Sequence, residues 1–123
     1  MKNVLILLSA SILLFACKNY GKKVSHENVE VYYKDGMTKE DAQKTLDFLV
    51  RMLGETEKKS FQLAKGHGDT IHFKMVADMD KVKATGDESF YRLTSILSDS
   101  VFKGAPVNVL LANEDFETIR TMV

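Results

Sequence analysis

Cysteine is nearly missing from this chain: one in 123 residues, at position 17. Without a second thiol there is no internal disulfide, so a fold has to be held by packing alone. The valine, isoleucine, leucine, phenylalanine and methionine content is sufficient for that. Net charge is missing too, with 17 basic residues against 17 acidic ones. A nucleic-acid binder needs a basic face, and this balance offers no electrostatic case for one. No apolar run reaches the roughly 20 residues that cross a bilayer as a helix. There is no internal repeat and no low-complexity segment. There is no Gly-x-Ser-x-Gly elbow for a nucleophilic serine. A glycine-rich phosphate loop running from a strand into a helix is absent as well.

What is present begins with a leader. Lys2 supplies positive charge, Val4 to Ala16 form a thirteen-residue apolar stretch interrupted by Ser9 and Ser11, and small Ala16 precedes Cys17. This is the layout of a secretory signal peptide, residues 1–16, cut before Cys17. Leu14-Phe15-Ala16-Cys17 resembles the lipobox of bacterial lipoproteins: an aliphatic residue, a variable one, a small one, then cysteine. The resemblance covers residues 1–17. It implies lipidation at Cys17, with a diacylglycerol on the thiol and usually a further acyl chain, such as palmitate, on the new amino terminus. It also implies a cell-envelope location, and Lys18 after the cysteine resembles outer-membrane rather than inner-membrane sorting. Two or more acyl chains, at about 0.8 kcal/mol per buried CH₂, make a stable anchor where one is marginal. The alternative is an ordinary signal peptide with Cys17 an incidental thiol, which leaves an unpaired cysteine in a secreted chain to be explained.

Residues 17–28 then read as a lipidated cysteine with a flexible tether, on the order of 20 Å in reach. Lys18, Lys22 and Lys23 are placed to meet anionic headgroups or simply water. Residues 29–123 have the length of a single domain. Val29 to Tyr33 alternates like a strand. Thr38-Lys39-Glu40-Asp41 has the spacing of a capping box, with Met37 and Ala42 at the staple positions. Ala42, Leu46, Leu49, Val50 and Leu53 follow at helical spacing, and Gly54 is a natural stop. Ser60 to Ala64, the turn Lys65 to Asp69, and Thr70 to Asp78 form a hairpin pattern. A second helix begins near Thr85-Gly86-Asp87-Glu88, carries Phe90, Leu93, Leu97 and Val101, and ends at Gly104 and Pro106. Val107 to Ala112 is a strand. Glu117 to Val123 is either a closing strand or part of a helix starting at Glu114.

The order β-α-β-β-α-β predicts an α+β fold, a ferredoxin-like sandwich with two helices on one face of an antiparallel sheet and an extra carboxy-terminal strand. The right-handed crossover rule then puts the first and third of these strands side by side at the centre.

Chemistry is thinly represented. His67 and His72 are the nearest approach to a metal pair, without the carboxylate or cysteine company a zinc site needs; no metal and no cofactor is expected. Ser89, Ser95, Ser98 and Ser100 fall on the second helix, mostly on its wet side. The loop after the first strand, Lys34-Asp35-Gly36, lacks the arginine that acylphosphatase-type chemistry on this architecture would want.

The open sheet face is the more informative surface. Tyr32, His72, Lys74, Val76, Asn108 and Leu110 are expected there as an interaction face, together with Glu30, Gln62, Ala64, Thr70 and Ala112. Tyr32, Val76 and Leu110 are apolar enough to be covered by an envelope protein or a second copy, or the face simply meets water. The functional expectation is a membrane-anchored, non-catalytic binding or interaction module. The alternative is a small envelope hydrolase without a recognisable motif.

Overall fold

The computed structural model describes residues 20–54, 56–78, 80 and 87–122. The leader, Cys17, Lys18, the Thr85-Gly86 start proposed for the second helix, and Val123 lie outside the described residues. Alternation of apolar and polar side chains gives strands β1 (Lys22–His26) and β2 (Val29–Lys34), joined by a tight turn with Glu27 at φ 53°. Two residues suffice for such a hairpin when one of them accepts a positive φ. Helix α1 (Lys39–Leu53) follows. Its capping box is complete: Asp41 N–H donates to Thr38 Oγ1 at 3.1 Å, and Thr38 N–H donates to Asp41 Oδ2 at 3.0 Å. Ala42, Leu46 and Leu49 are buried on one face, and Gly54 ends the helix at φ 62°. Strands β3 (Lys59–Lys65) and β4 (Ile71–Val76) form the expected hairpin.

Helix α2 (Glu88–Ser100) buries Phe90 and Leu97. Asp87 stands at its N-cap position but makes no side-chain cap bond. Strands β5 (Val107–Ala112) and β6 (Thr118–Met122) close the sheet. The carboxy-terminal segment is therefore a strand, and the helix from Glu114 does not form.

The domain is α+β with one six-stranded mixed sheet, in the order β1-β2-β3-β4-β5-β6. This corrects the expected ferredoxin-like arrangement. The strand starting at Val29 lies beside the one after α1, in parallel, rather than beside β4. A second parallel pair, β4 with β5, follows the β3–β4 hairpin. Each parallel pair is bridged by a helix, as parallel neighbours require. Val24, Val31, Leu63, Phe73 and Val109 occupy one face of the sheet together with Leu46, Leu49, Phe90 and Leu97 in a single core, so both helices cover the same side. Phe61 and Phe73 stack there at 5.3 Å. The two parallel pairs run in opposite directions, so crossovers bridged by helices on one face have opposite hands. One of the two breaks the right-handed preference on which the ferredoxin-like order rested.

The tether is corrected too. Lys22–His26 is a strand with Val24 in the core, and it pairs over its whole length with β2. One buried valine among exposed neighbours is too faint a period-two signal to read in isolation.

Candidate functional site

The second sheet face carries no helix, and strand register assigns its residues. Lys23, Tyr32, Gln62, Lys74, Leu110 and Thr121 form one row across all six strands. Lys34, Ala64, His72 and Asn108 form the next row toward one end. Glu30 with Ser60, and Val76 with Ala112, lie toward the other. The six residues expected on this face share it, but they do not form an open apolar patch. Leu110 is buried, Tyr32 and Val76 are half-buried, and Ala112 is fully covered.

Two short segments do the covering. Tyr20 precedes β1 and crosses onto the face, where its carbonyl accepts from Gln62 Nε2 at 3.1 Å. From the other edge the β5–β6 turn delivers Phe116. The Asn113 side-chain oxygen accepts from the N–H groups of Asp115 and Glu117, and Phe116 N–H donates to the Asn113 carbonyl. This turn sets Phe116 at φ 57°, an unfavourable value for an aromatic residue, while its ring is buried. Lys74 Nζ then donates to the Phe116 carbonyl at 2.8 Å. The rings of Tyr20, Tyr32 and Phe116 meet edge to face, with centroids 5.1–5.6 Å apart. Tyr20 Oη donates to Asp115 Oδ1 at 3.2 Å, tying the two segments together. Neither Tyr20 nor Phe116 stands out in the sequence. Tyr20 sits in a stretch without periodicity, and Phe116 is compatible with helix or strand.

Beside this triad opens a cleft of about 840 Å³, between Tyr32, Phe116, Ser60, Asp78 and Glu114. Glu30 lines it, with its side chain largely covered. Ser60 Oγ donates to Glu30 Oε1 at 2.7 Å, Lys23 Nζ lies 3.4 Å from Oε2, and Lys58 Nζ 3.9 Å from Oε1. Burial opposes the ionisation of Glu30, but the Ser60 hydrogen bond and the two lysines outweigh it and hold its pKa below the usual carboxylate value. A carboxylate so stabilised is a weak base. Burial pushes the Tyr32 phenol up, and the Glu30 charge adds to the effect. Lys74 is pushed down by burial first and by Lys34 second.

His72 lies four residues along the hairpin from Ser60, about 13 Å at the usual strand rise. Among the described residues no Ser–His pair forms on this face. A Cβ at Gly66 would come within 2.5 Å of His72 Nε2, so Gly66 serves close approach rather than positive φ. His67 sits at the exposed turn, and among the described residues no group of three His, Cys, Asp or Glu side chains is placed to hold a metal ion. His26 is exposed on β1. Of the helix serines, Ser98 is half-buried and donates to the Ala105 carbonyl at 2.7 Å, while Ser89, Ser95 and Ser100 are exposed.

No curated protein matches the chain, and no solved structure does. One family model matches, over residues 23–122, and its description is a family N-terminal domain. The match starts at the second residue of β1 and runs to the end of β6, nearly the whole span of the sheet. The chain belongs to the AF_1994_N family.

Proposed function

We propose that this protein is a lipid-anchored, non-catalytic binding module of the bacterial cell envelope, with the helix-free sheet face as its interaction surface. The observation that carries the reading is Leu14-Phe15-Ala16-Cys17, a lipobox pattern around the chain's single cysteine. In this reading the thiol is an attachment point and has no redox role. The outer membrane is the proposed location, on the strength of Lys18. Residues of the interaction surface are Tyr32, His72, Lys74, Val76 and Asn108, with Leu110 buried in the same row as Tyr32 and Lys74. Its occupant is an envelope component or a second copy, and nucleic acid is no partner.

Mass spectrometry of the mature amino terminus tests the anchor. Acylated Cys17 and loss of Cys17→Ala from the membrane fraction are the expected results. An unmodified thiol, or a Cys17→Ala variant that stays with the membrane, would refute it.

A small envelope hydrolase is the competing reading, and the Ser60–Glu30 contact is the observation on its side. Glu30 is a poor base for Ser60, since its ionised form is the stabilised one. If Ser60→Ala abolished a hydrolytic activity of the pure protein, the hydrolase reading would displace the binding one.

A further inference from the structure

We infer that the partner of the helix-free sheet face is the surface of the bilayer itself, against which the domain lies with its helices pointing away. The inference rests on the lipid anchor proposed above and adds to it an orientation and a distance.

The chain reaches the fold over the middle of that face, not at an edge. Tyr20, three residues after Cys17, has its carbonyl on Gln62 of β3 and its ring between Tyr32 and Phe116. Three residues span at most about 10 Å when fully extended. An acylated Cys17 therefore brings headgroups to within about that distance of Tyr20, with the sheet face between the membrane and the core. The link from Cys17 to the first docked residue is thus three residues long, where the sequence alone suggests eleven.

Charge on the same face is divided: carboxylates of Glu30, Asp78, Glu114 and Asp115 gather at the cleft end, and Lys74 and Lys34 lie toward the other. Lys34 and Lys74 stand in adjacent rows, close enough for the charge of one to depress the other. Neither has an ion-pair partner among the described residues, whereas Lys23 is paired with Glu30. Lys34, and Lys74 whose Nζ also donates to the Phe116 carbonyl, are the lysines of this face without a carboxylate partner, and they suit an anionic headgroup layer. The helix face carries the opposite arrangement: Glu40 with Lys44, and Glu88 with Arg92, neutralise each other along α1 and α2. The aromatic triad adds tyrosine rings of the amphipathic kind that suits a membrane interface.

The test uses the full acylated protein in vesicles with and without anionic lipid. Acylation consumes the native cysteine, so single variants Thr121→Cys, on the sheet face, and Gln43→Cys, exposed on α1, each take one fluorescent label. With a quencher attached to the lipid headgroups, quenching several-fold stronger at position 121 than at 43 is expected. In Lys34→Gln, Lys74→Gln protein the contrast is expected to shrink on anionic vesicles while the protein stays bound through its lipid. Equal quenching at the two positions, or stronger quenching at 43, would overturn the inference and leave the anchor standing. Strong label–label coupling at position 121 that ignores lipid composition would overturn it in favour of a second copy on the face. An unmodified Cys17 in the same preparation would remove the anchor, and the orientation with it.

Discussion

The Gln62 side chain donates from the middle of β3 to the carbonyl of Tyr20, 42 residues earlier, at 3.1 Å. Gln62 is 2 % exposed, and it is one of two buried polar side chains among the described residues, Thr45 being the other. A buried amide retains its place only when its hydrogen bonds are made. Its partner here is the segment on which the position of the amino terminus depends.

Replacing this donor should loosen that segment. Gln62→Ala is expected to destabilise the domain by about 1–3 kcal/mol, through the lost bond and an orphaned carbonyl. Denaturant unfolding followed by circular dichroism measures the loss. Faster amide hydrogen exchange at Tyr20–Lys22 than in the unaltered protein should accompany it.

Gly21 tests the same segment by another route. It has φ 91°, and a Cβ there would run into the Tyr33 carbonyl. Gly21→Ala is therefore strained in both backbone and contact, and a loss of at least about 1 kcal/mol is expected. The thermal midpoint reads it. An unchanged midpoint would mean that the residue before β1 does not need its present conformation.

Helix α1 supplies a control remote from the helix-free face. Thr38→Ala removes the acceptor for Asp41 N–H and should cost about 1 kcal/mol. Asp41→Ala removes the reciprocal bond, and the double variant should lose less than the sum of the two, since each replacement breaks one box. Neither is expected to alter vesicle binding of acylated protein.

Glu30 gives the pH dependence. Its pKa in the fold lies below the ordinary 4.5, so the folded state holds fewer protons on it than the unfolded chain does in that window. Its contribution to stability is complete above the unfolded value and is lost as pH falls through the folded one. Acidification below about pH 4.5 should therefore weaken the unaltered protein more steeply than Glu30→Gln, in stability curves from pH 3 to 7. Parallel curves would show that Ser60 and the two lysines do not hold the carboxylate as described.

Much of the secondary structure was legible because its signals are local. The capping box at Thr38 and Asp41, the stop at Gly54, and the two-glycine turn before β4 depend on neighbours within a few residues. Strand faces followed from period two, so Tyr32, Lys74 and Leu110 were correctly put on one side of the sheet. Strand order was not legible. The pattern β-α-β-β-α-β is the same for the ferredoxin-like order and for the sequential one, and the handedness preference chose the order this protein does not adopt. The covering of the sheet face was hidden for a related reason. Tyr20 and Phe116 meet across 96 positions, and neither lies in a periodic stretch. Tyr32 is half-buried because both rings pack against it.

The sequential sheet has a consequence for how the molecule assembles. Every strand pairs only with its neighbours along the chain, so the contacts that build the sheet close short loops, a feature associated with rapid folding. A polypeptide leaving the ribosome amino end first can lay down β1 to β6 in turn without waiting for its tail. Among the described residues, Tyr20 against Phe116 and Asp115 joins beginning to end. That clasp has to shut last, and it turns a growing ribbon into a finished object.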